Sequence, residues 1–150
     1  VVCEASDADV EALLDIGEAF LRYARYGAVL ATPDREGLRD GLQRLRDTGV
    51  VFVARRGADV VGVIGGTLSP LWFSAKTMVG VELLWWVSAF ARGGLAAVRL
   101  VRAFEEWASA RGAQMVVMSD IVLDDSDRVT QLLHCMGYRL AERAHVKGLS

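Results

Sequence analysis

Val79-Gly80-Val81-Glu82-Leu83-Leu84-Trp85-Trp86-Val87-Ser88-Ala89-Phe90-Ala91-Arg92-Gly93-Gly94-Leu95-Ala96-Ala97 is the stretch that decides the fold. Its first half, Val79 to Val87, is a nearly continuous apolar run broken only by Gly80 and Glu82. Such runs are strands covered on both faces of a sheet. From Leu95 the period changes: Leu95, Val98, Val101, Phe104 and Ala108 share one helix face, and Gly112 ends it. Between strand and helix lies a short loop carrying Arg92, Gly93 and Gly94. The first turn of a helix has amide donors without intrahelical partners and a partial positive charge. Ala96 and Ala97 leave that opening bare, the glycines allow close backbone approach, and Arg92 adds a permanent charge. The segment reads as a cradle for phosphate or pyrophosphate. A tight strand-to-helix turn with a surface arginine is the plainer alternative.

Working toward the N-terminus, Val60-Val61-Gly62-Val63-Ile64 and Val50-Val51-Phe52-Val53-Ala54 are β-rich runs around the turn Arg56-Gly57-Ala58-Asp59. They predict an antiparallel hairpin. Leu68 to Ser74, with Pro70, Trp72 and Phe73, reads as an aromatic loop. Leu38, Leu42 and Leu45 form the stripe of a helix expected to start at Thr32-Pro33. An earlier helix carries Val10, Leu13, Leu14, Phe20, Leu21 and Ala24 behind a capping box of Ser6 and Asp9. A short strand at Val1-Val2-Cys3 opens the chain.

Toward the C-terminus, Met115 to Met118 is a further strand, and Val129, Leu132, Leu133 and Met136 mark a helix stopped by Gly137. Tyr138 to Val146 is expected as a last strand. The order β-α-α-β-β-β-α-β-α-β predicts one α/β domain over residues 1–150, with helices on the faces of a mixed sheet.

Composition agrees. The 150 residues are 53% hydrophobic and 24% charged, which excludes disorder. A net charge of -2 gives no electrostatic reason to expect nucleic acid or an anionic membrane as partner. Cys3 and Cys135 are too few for a disulfide scaffold and lack zinc-site spacing, so ordinary reduced thiols are expected, Cys135 buried. The longest uncharged run, between Asp59 and Lys76, is broken by Gly65-Gly66 and Ser69-Pro70 and falls short of a membrane span. No signal segment is evident. The expectation is a soluble, cytoplasmic protein without a metal.

Neither common nucleotide fingerprint fits the loop. A P-loop needs lysine and a hydroxyl residue where Leu95-Ala96 stand. The dinucleotide motif needs spaced glycines inside a parallel βαβ unit, and here a hairpin precedes.

The segment resembles instead the acetyl-CoA signature of the GNAT superfamily of N-acyltransferases, Gln/Arg-x-x-Gly-x-Gly/Ala, entered from a strand ending in an apolar residue and valine. Trp86-Val87 followed by Arg92-Gly93-Gly94-Leu95-Ala96-Ala97 is similar in spacing, with Arg92 first, Ala97 last and Leu95 in place of a glycine. Ser126 to Tyr138 looks like the family's late motif, an Asn-started helix ending in Tyr-x-x-x-Gly-Phe/Tyr. Gly137-Tyr138 match, Ser126 replaces the asparagine, and Leu133 stands where many members carry a tyrosine taken as general acid. The ending with Glu142 and Lys147 looks like short members, several phage- or prophage-associated.

The resemblance implies a mostly antiparallel mixed sheet flanked by about four helices, and acetyl-CoA as acyl donor. The pantetheine arm would lie along backbone near Trp86, Val87 and Ala89, with pyrophosphate on the loop of Arg92, Gly93, Gly94, Leu95, Ala96 and Ala97; Ser126 is assigned to the same cofactor site. A small-molecule or peptide amine would attack the thioester directly in a ternary complex. Glu82, the only acidic residue in an apolar strand, is the candidate base, since burial raises a carboxylate's pKa. A strand-edge glutamate paired with an arginine or facing solvent is its alternative, and His134 is the second candidate. Tyr23, Tyr26, Trp72 and Phe73 are candidates to border the acceptor pocket. Homodimerisation through the last strand is compatible with this plan. A CoA-binding or protein-interaction domain without catalysis is the rival function, favoured by Leu95 and Leu133, and a nucleotide-binding regulatory domain is a third.

Overall fold

The computed structural model describes residues 1–24, 34–121 and 127–149. It contains β1 (Val2–Glu4), α1 (Val10–Tyr23), α2 (Arg35–Thr48), β2 (Gly49–Arg56), β3 (Asp59–Leu71), β4 (Ser74–Val87), α3 (Ala96–Ala110), β5 (Met115–Val117) and α4 (Asp127–Cys135). The strands form one sheet in the order β1-β2-β3-β4-β5. Every neighbouring pair is antiparallel except β4 and β5. The mixed, mostly antiparallel α/β architecture is the one expected.

The capping box forms before α1. The amide and hydroxyl of Ser6 donate to Asp9 Oδ2 at 2.8 and 2.9 Å. Asp9 is buried at 2% exposure and also pairs with Arg55 of β2, which fastens the start of α1 to the sheet. The expected opening of α2 at Thr32-Pro33 lies outside the described residues. The helix begins at Arg35, two residues after Pro33, where Asp34 caps it by accepting the Gly37 amide at 2.7 Å. Arg35 then reaches Glu11, Asp15 and Glu18 of α1 at 2.9–3.0 Å. Exposed pairs contribute little singly, but three on one guanidinium fix the pairing of the two helices.

The hairpin of β2 and β3 turns at Gly57, whose φ of 62° suits glycine. The aromatic loop is a correction. Leu68 to Leu71 continue β3, pairing as far as Leu71 with Ser74, so that only Trp72 and Phe73 turn. Beyond Thr67 β3 has no β2 neighbour, and an edge strand tolerates the missing amide of Pro70. A second correction concerns Tyr138 to Val146, which forms no ladder. Arg139, Glu142, Arg143 and His145 interrupt it, and Ala141 and Ala144 are too small to supply an apolar stripe. Tyr138 alone docks, donating its hydroxyl to Glu105 of α3 at 2.8 Å. The strand on which dimerisation was expected is therefore absent from the described residues.

Two cores separate the faces. On one, Val50, Ile64 and Val87 pack with Leu100, Val101 and Phe104 of α3; on the other, Val51, Val53 and Val63 pack with Leu13 and Ile16 of α1. A Cβ at Gly66 would lie 2.6 Å from Phe104 Cζ and 2.3 Å from the Val81 carbonyl. Bare glycine backbone is what lets α3 seat this closely.

Candidate active site

The site grows from the way β4 outruns its neighbour. β5 pairs with β4 through only three residues, Val79 to Val81. Glu82 is the first residue past that pairing, and the remaining edge of β4 as far as Val87 has no strand beside it among the described residues. At the same place the β3–β4 ladder shifts: Gly66 opposes Glu82, whereas Gly65 opposes Leu84, so Leu83 is an inserted, bulged residue. The bulge resets the alternation of side chains. Glu82 opposes Gly66, whose missing Cβ faces Phe104, so its carboxyl lies on the α3 face. Beyond the bulge Trp85 and Val87 take that face, while Leu84 and Trp86 pack on the α1 side.

Glu82 is buried, at 8% exposure. Its Oε2 accepts the Ser119 amide, donated at 3.0 Å from the chain leaving β5. Burial pushes the carboxyl up to about 7, and the Ser119 hydrogen bond opposes the rise only partly. Among the described residues no arginine pairs with it, so neither part of the plainer alternative holds. Such a carboxyl exchanges its proton near neutral pH.

Antiparallel ladders alternate hydrogen-bonded with outward-facing pairs. The Ser88 amide donates to the Val61 carbonyl at 2.9 Å, so the adjacent pair, Val87 with Gly62, turns its amide and carbonyl away from β3. By the same alternation Trp85 faces the open edge and Trp86 bonds to β3. Of the residues expected to offer backbone to a pantetheine arm, Val87 thus has its amide and carbonyl on the open edge and Trp86 has them toward β3. Ala89 opens a 3-10 turn, Ala89–Ala91, and its carbonyl accepts the Arg92 amide at 3.3 Å.

The loop after that turn has the anticipated donors. Gly93 sits at φ +83°, and among the described residues the amides of Gly93, Gly94 and Leu95 meet no carbonyl. α3 starts without a side-chain cap, and its first carbonyl-bonded amide outside the opening turn is that of Arg99, donated to Leu95 at 3.0 Å. Ala96 and Ala97 therefore present bare first-turn amides. Arg92, four residues before Ala96, takes an unforeseen posture. Its Nε donates to the Val87 carbonyl at 3.0 Å, and its Cζ lies 4.5 Å from the Trp86 ring centre and 5.2 Å from that of Tyr23.

Other candidates do not converge here. Trp72 and Phe73 stack edge to face at 5.3 Å, at the end of β4 opposite Val87. Tyr26 and Ser126 lie outside the described residues. His134 is exposed on α4, and Cys135 is exposed where a buried thiol was expected, because the inward turn of α4 belongs to Leu133. Among the described residues no cluster of His, Cys, Asp or Glu could hold a metal, and no helix is long and apolar enough to cross a membrane. A bulge between Glu82 and Val87 is what the strand phase asks for, but sequence reasoning missed its place at Leu83, Ser119 as the partner of Glu82 and the stack under Arg92. Gly65-Gly66 opposite the bulge was the one legible signal.

The described residues thus bring together a buried carboxyl where the β5 pairing ends and an uncapped helix start beyond the far end of β4, in a mixed α/β fold. The sequence model of the Acetyltransferase (GNAT) family matches residues 14–138. The chain belongs to that family, whose activity is acyl transfer from an acyl-CoA to an amine. No curated protein sequence matches it significantly. Solved structures share the fold over nearly the whole length. An acetyltransferase from Trypanosoma brucei is similar with a TM-score of 0.74 and 18% identity, covering 99% of both chains. A ribosomal-protein-alanine N-acetyltransferase from Brucella melitensis biovar Abortus 2308 has a TM-score of 0.75 and 14% identity, again over 99% of each chain. AAC(6′)-Iy in complex with the bisubstrate analogue CoA-S-monomethyl-acetylneamine has a TM-score of 0.75 and 14% identity, covering 100% of this chain and 97% of that one.

Proposed function

We propose that the protein transfers the acetyl group of acetyl-CoA to the amine of a small molecule or peptide, with Glu82 as the base. The observation that carries this reading is the buried Glu82 carboxyl at the fork of β4 and β5, at the head of an unpaired strand edge that leads to the open amides of α3. A pantetheine arm, with its two amides, suits the outward backbone of Trp85 and the outward amide of Val87, whose carbonyl already accepts Arg92 Nε, as an added strand. The pyrophosphate suits the amides of Gly93, Gly94, Leu95, Ala96 and Ala97, with Arg92 as the charged contact.

The thioester then lies near Glu82. The amine nitrogen attacks the carbonyl carbon, Glu82 accepts the amine proton, the C–S bond breaks, and CoA leaves as thiolate. An outward amide of the β4 edge can stabilise the developing oxyanion. Alignment of the two reactants supplies most of the remaining advantage. Leu133 in the place of the family's tyrosine is compatible with this scheme, since a thiol of pKa about 8.5 departs readily without an acid. Exposed, unpaired Cys3 and Cys135 suit a reducing compartment and support a cytoplasmic location.

The rival, a CoA-binding domain without catalysis, is favoured by Leu95 in the loop and Leu133 in the tyrosine's place. Thiol release from acetyl-CoA across a panel of amines separates the two. Turnover should appear, and Glu82→Gln should lower kcat by a factor on the order of 10²–10⁴ with little change in CoA affinity. The residual rate should rise with pH as the amine deprotonates unaided. Binding of CoA without release on any amine would favour the rival, and identical pH–rate profiles would remove Glu82 from the mechanism.

A further inference from the structure

We propose that Tyr23 and Trp86 are positioning residues for the cofactor's phosphates, acting through Arg92; the inference rests on the acetyl-CoA reading of the loop. A free arginine next to a glycine loop samples many rotamers, and holding it for one anion is costly in entropy. Here three contacts remove that freedom. The Val87 carbonyl accepts Nε, the Trp86 ring lies 4.5 Å below Cζ, and the Tyr23 ring lies 5.2 Å from it. The two rings brace each other edge to face at 5.2 Å, and Phe20 meets Trp86 in the same way at 5.9 Å.

None of these contacts uses the terminal nitrogens. Among the described residues no carboxylate pairs with Arg92, so the guanidinium keeps its full charge and its two-pronged edge for an incoming anion. A guanidinium held against aromatic rings with both terminal nitrogens unused can take a phosphate in bidentate fashion. Tyr23 is the last residue of α1 and Trp86 the penultimate residue of β4, so the brace ties the helix on one face of the sheet to the loop that opens α3 on the other. Tyr23 is 42% exposed, and its replacement leaves both cores intact.

Calorimetry and NMR titration with CoA and with a phosphate-free pantetheine thioester test this. Tyr23→Leu should raise the Kd for CoA roughly two- to tenfold at low salt, and less at high salt. Tyr23→Phe, which keeps a ring face, should restore affinity to within about twofold of the original. The phosphate-free thioester should bind all three proteins alike. In an Arg92→Ala background, Tyr23→Leu should add nothing further. An unchanged CoA affinity in Tyr23→Leu beside a weakened Arg92→Ala would overturn the brace and spare the loop. Equal losses for CoA and the phosphate-free thioester would also overturn it. Full CoA affinity in Arg92→Ala would instead remove the charged contact on which the loop reading relies.

Discussion

Glu82 is placed at a cost to the folded state, and that cost has a pH dependence with a definite sign. In the unfolded chain the carboxyl ionises around its ordinary value of 4.5; in the fold burial holds it up to about 7. Between those values the unfolded state has released a proton that the folded state keeps, so raising the pH favours unfolding. The contribution of this group is fully present below about 4.5 and lost as pH rises through 7. Glu82→Gln keeps an oxygen for the Ser119 amide and has no charge to bury. Denaturant midpoints for the two proteins should coincide near pH 4 and diverge as pH rises. By pH 8 the glutamine variant should be the more stable by roughly 1–3 kcal/mol. A gap that does not change with pH would mean that Glu82 is already ionised in the fold. More stable and less active is the signature of a residue kept for chemistry.

At the scale of elements, two glycines in and near the site answer differently to an added side chain. Gly66→Ala puts a Cβ against the Val81 backbone and Phe104, and overpacking of this kind costs about 1–3 kcal/mol. Thermal unfolding of Gly66→Ala should start several degrees lower than that of the parent protein. At Gly94 a Cβ meets only the Ala91 carbonyl at 3.5 Å, an ordinary contact. Gly94→Val should therefore melt close to the parent while its CoA affinity drops, because the branched side chain crowds the phosphate approach. Equal melting temperatures in Gly66→Ala would show that α3 seats less tightly than described. The elements themselves were largely readable, because Val50 to Val87 and Leu95 to Ala108 carry unmistakable periods. The place of the bulge at Leu83 was not, since an inserted residue leaves no mark in a wholly apolar run and its signal lay across the ladder at Gly65-Gly66. The Arg92 posture was equally hidden, because it depends on Tyr23 and Trp86 meeting from distant elements. Tyr138 to Val146 misled in the other direction: the pattern allowed a strand, but too little apolar surface holds it to the sheet.

For the molecule as a whole, a cofactor that binds only the folded state must raise its stability by mass action. At a CoA concentration 100 times Kd the gain is about 2.7 kcal/mol. For a chain of 150 residues each kcal/mol moves Tm by about 2–4 °C, so CoA should raise Tm by about 5–10 °C. Acetyl-CoA should act alike, since the acetyl group adds little to contacts made by pantetheine and phosphates. Ligands with other backbones should fail: ATP and NAD carry pyrophosphate for the α3 amides but no pantetheine for the open edge of β4. The loop and the edge must be filled together for a large shift, because phosphate contacts exposed to solvent are screened at physiological salt. A thermal shift series with CoA, acetyl-CoA, ATP and NAD at matched concentrations therefore reads both halves of the site at once. A large shift with ATP or NAD and none with CoA would turn the protein into a nucleotide binder. A shift with CoA that vanishes in Gly94→Val and survives in Glu82→Gln would place binding on the loop and leave the carboxyl free for the proton.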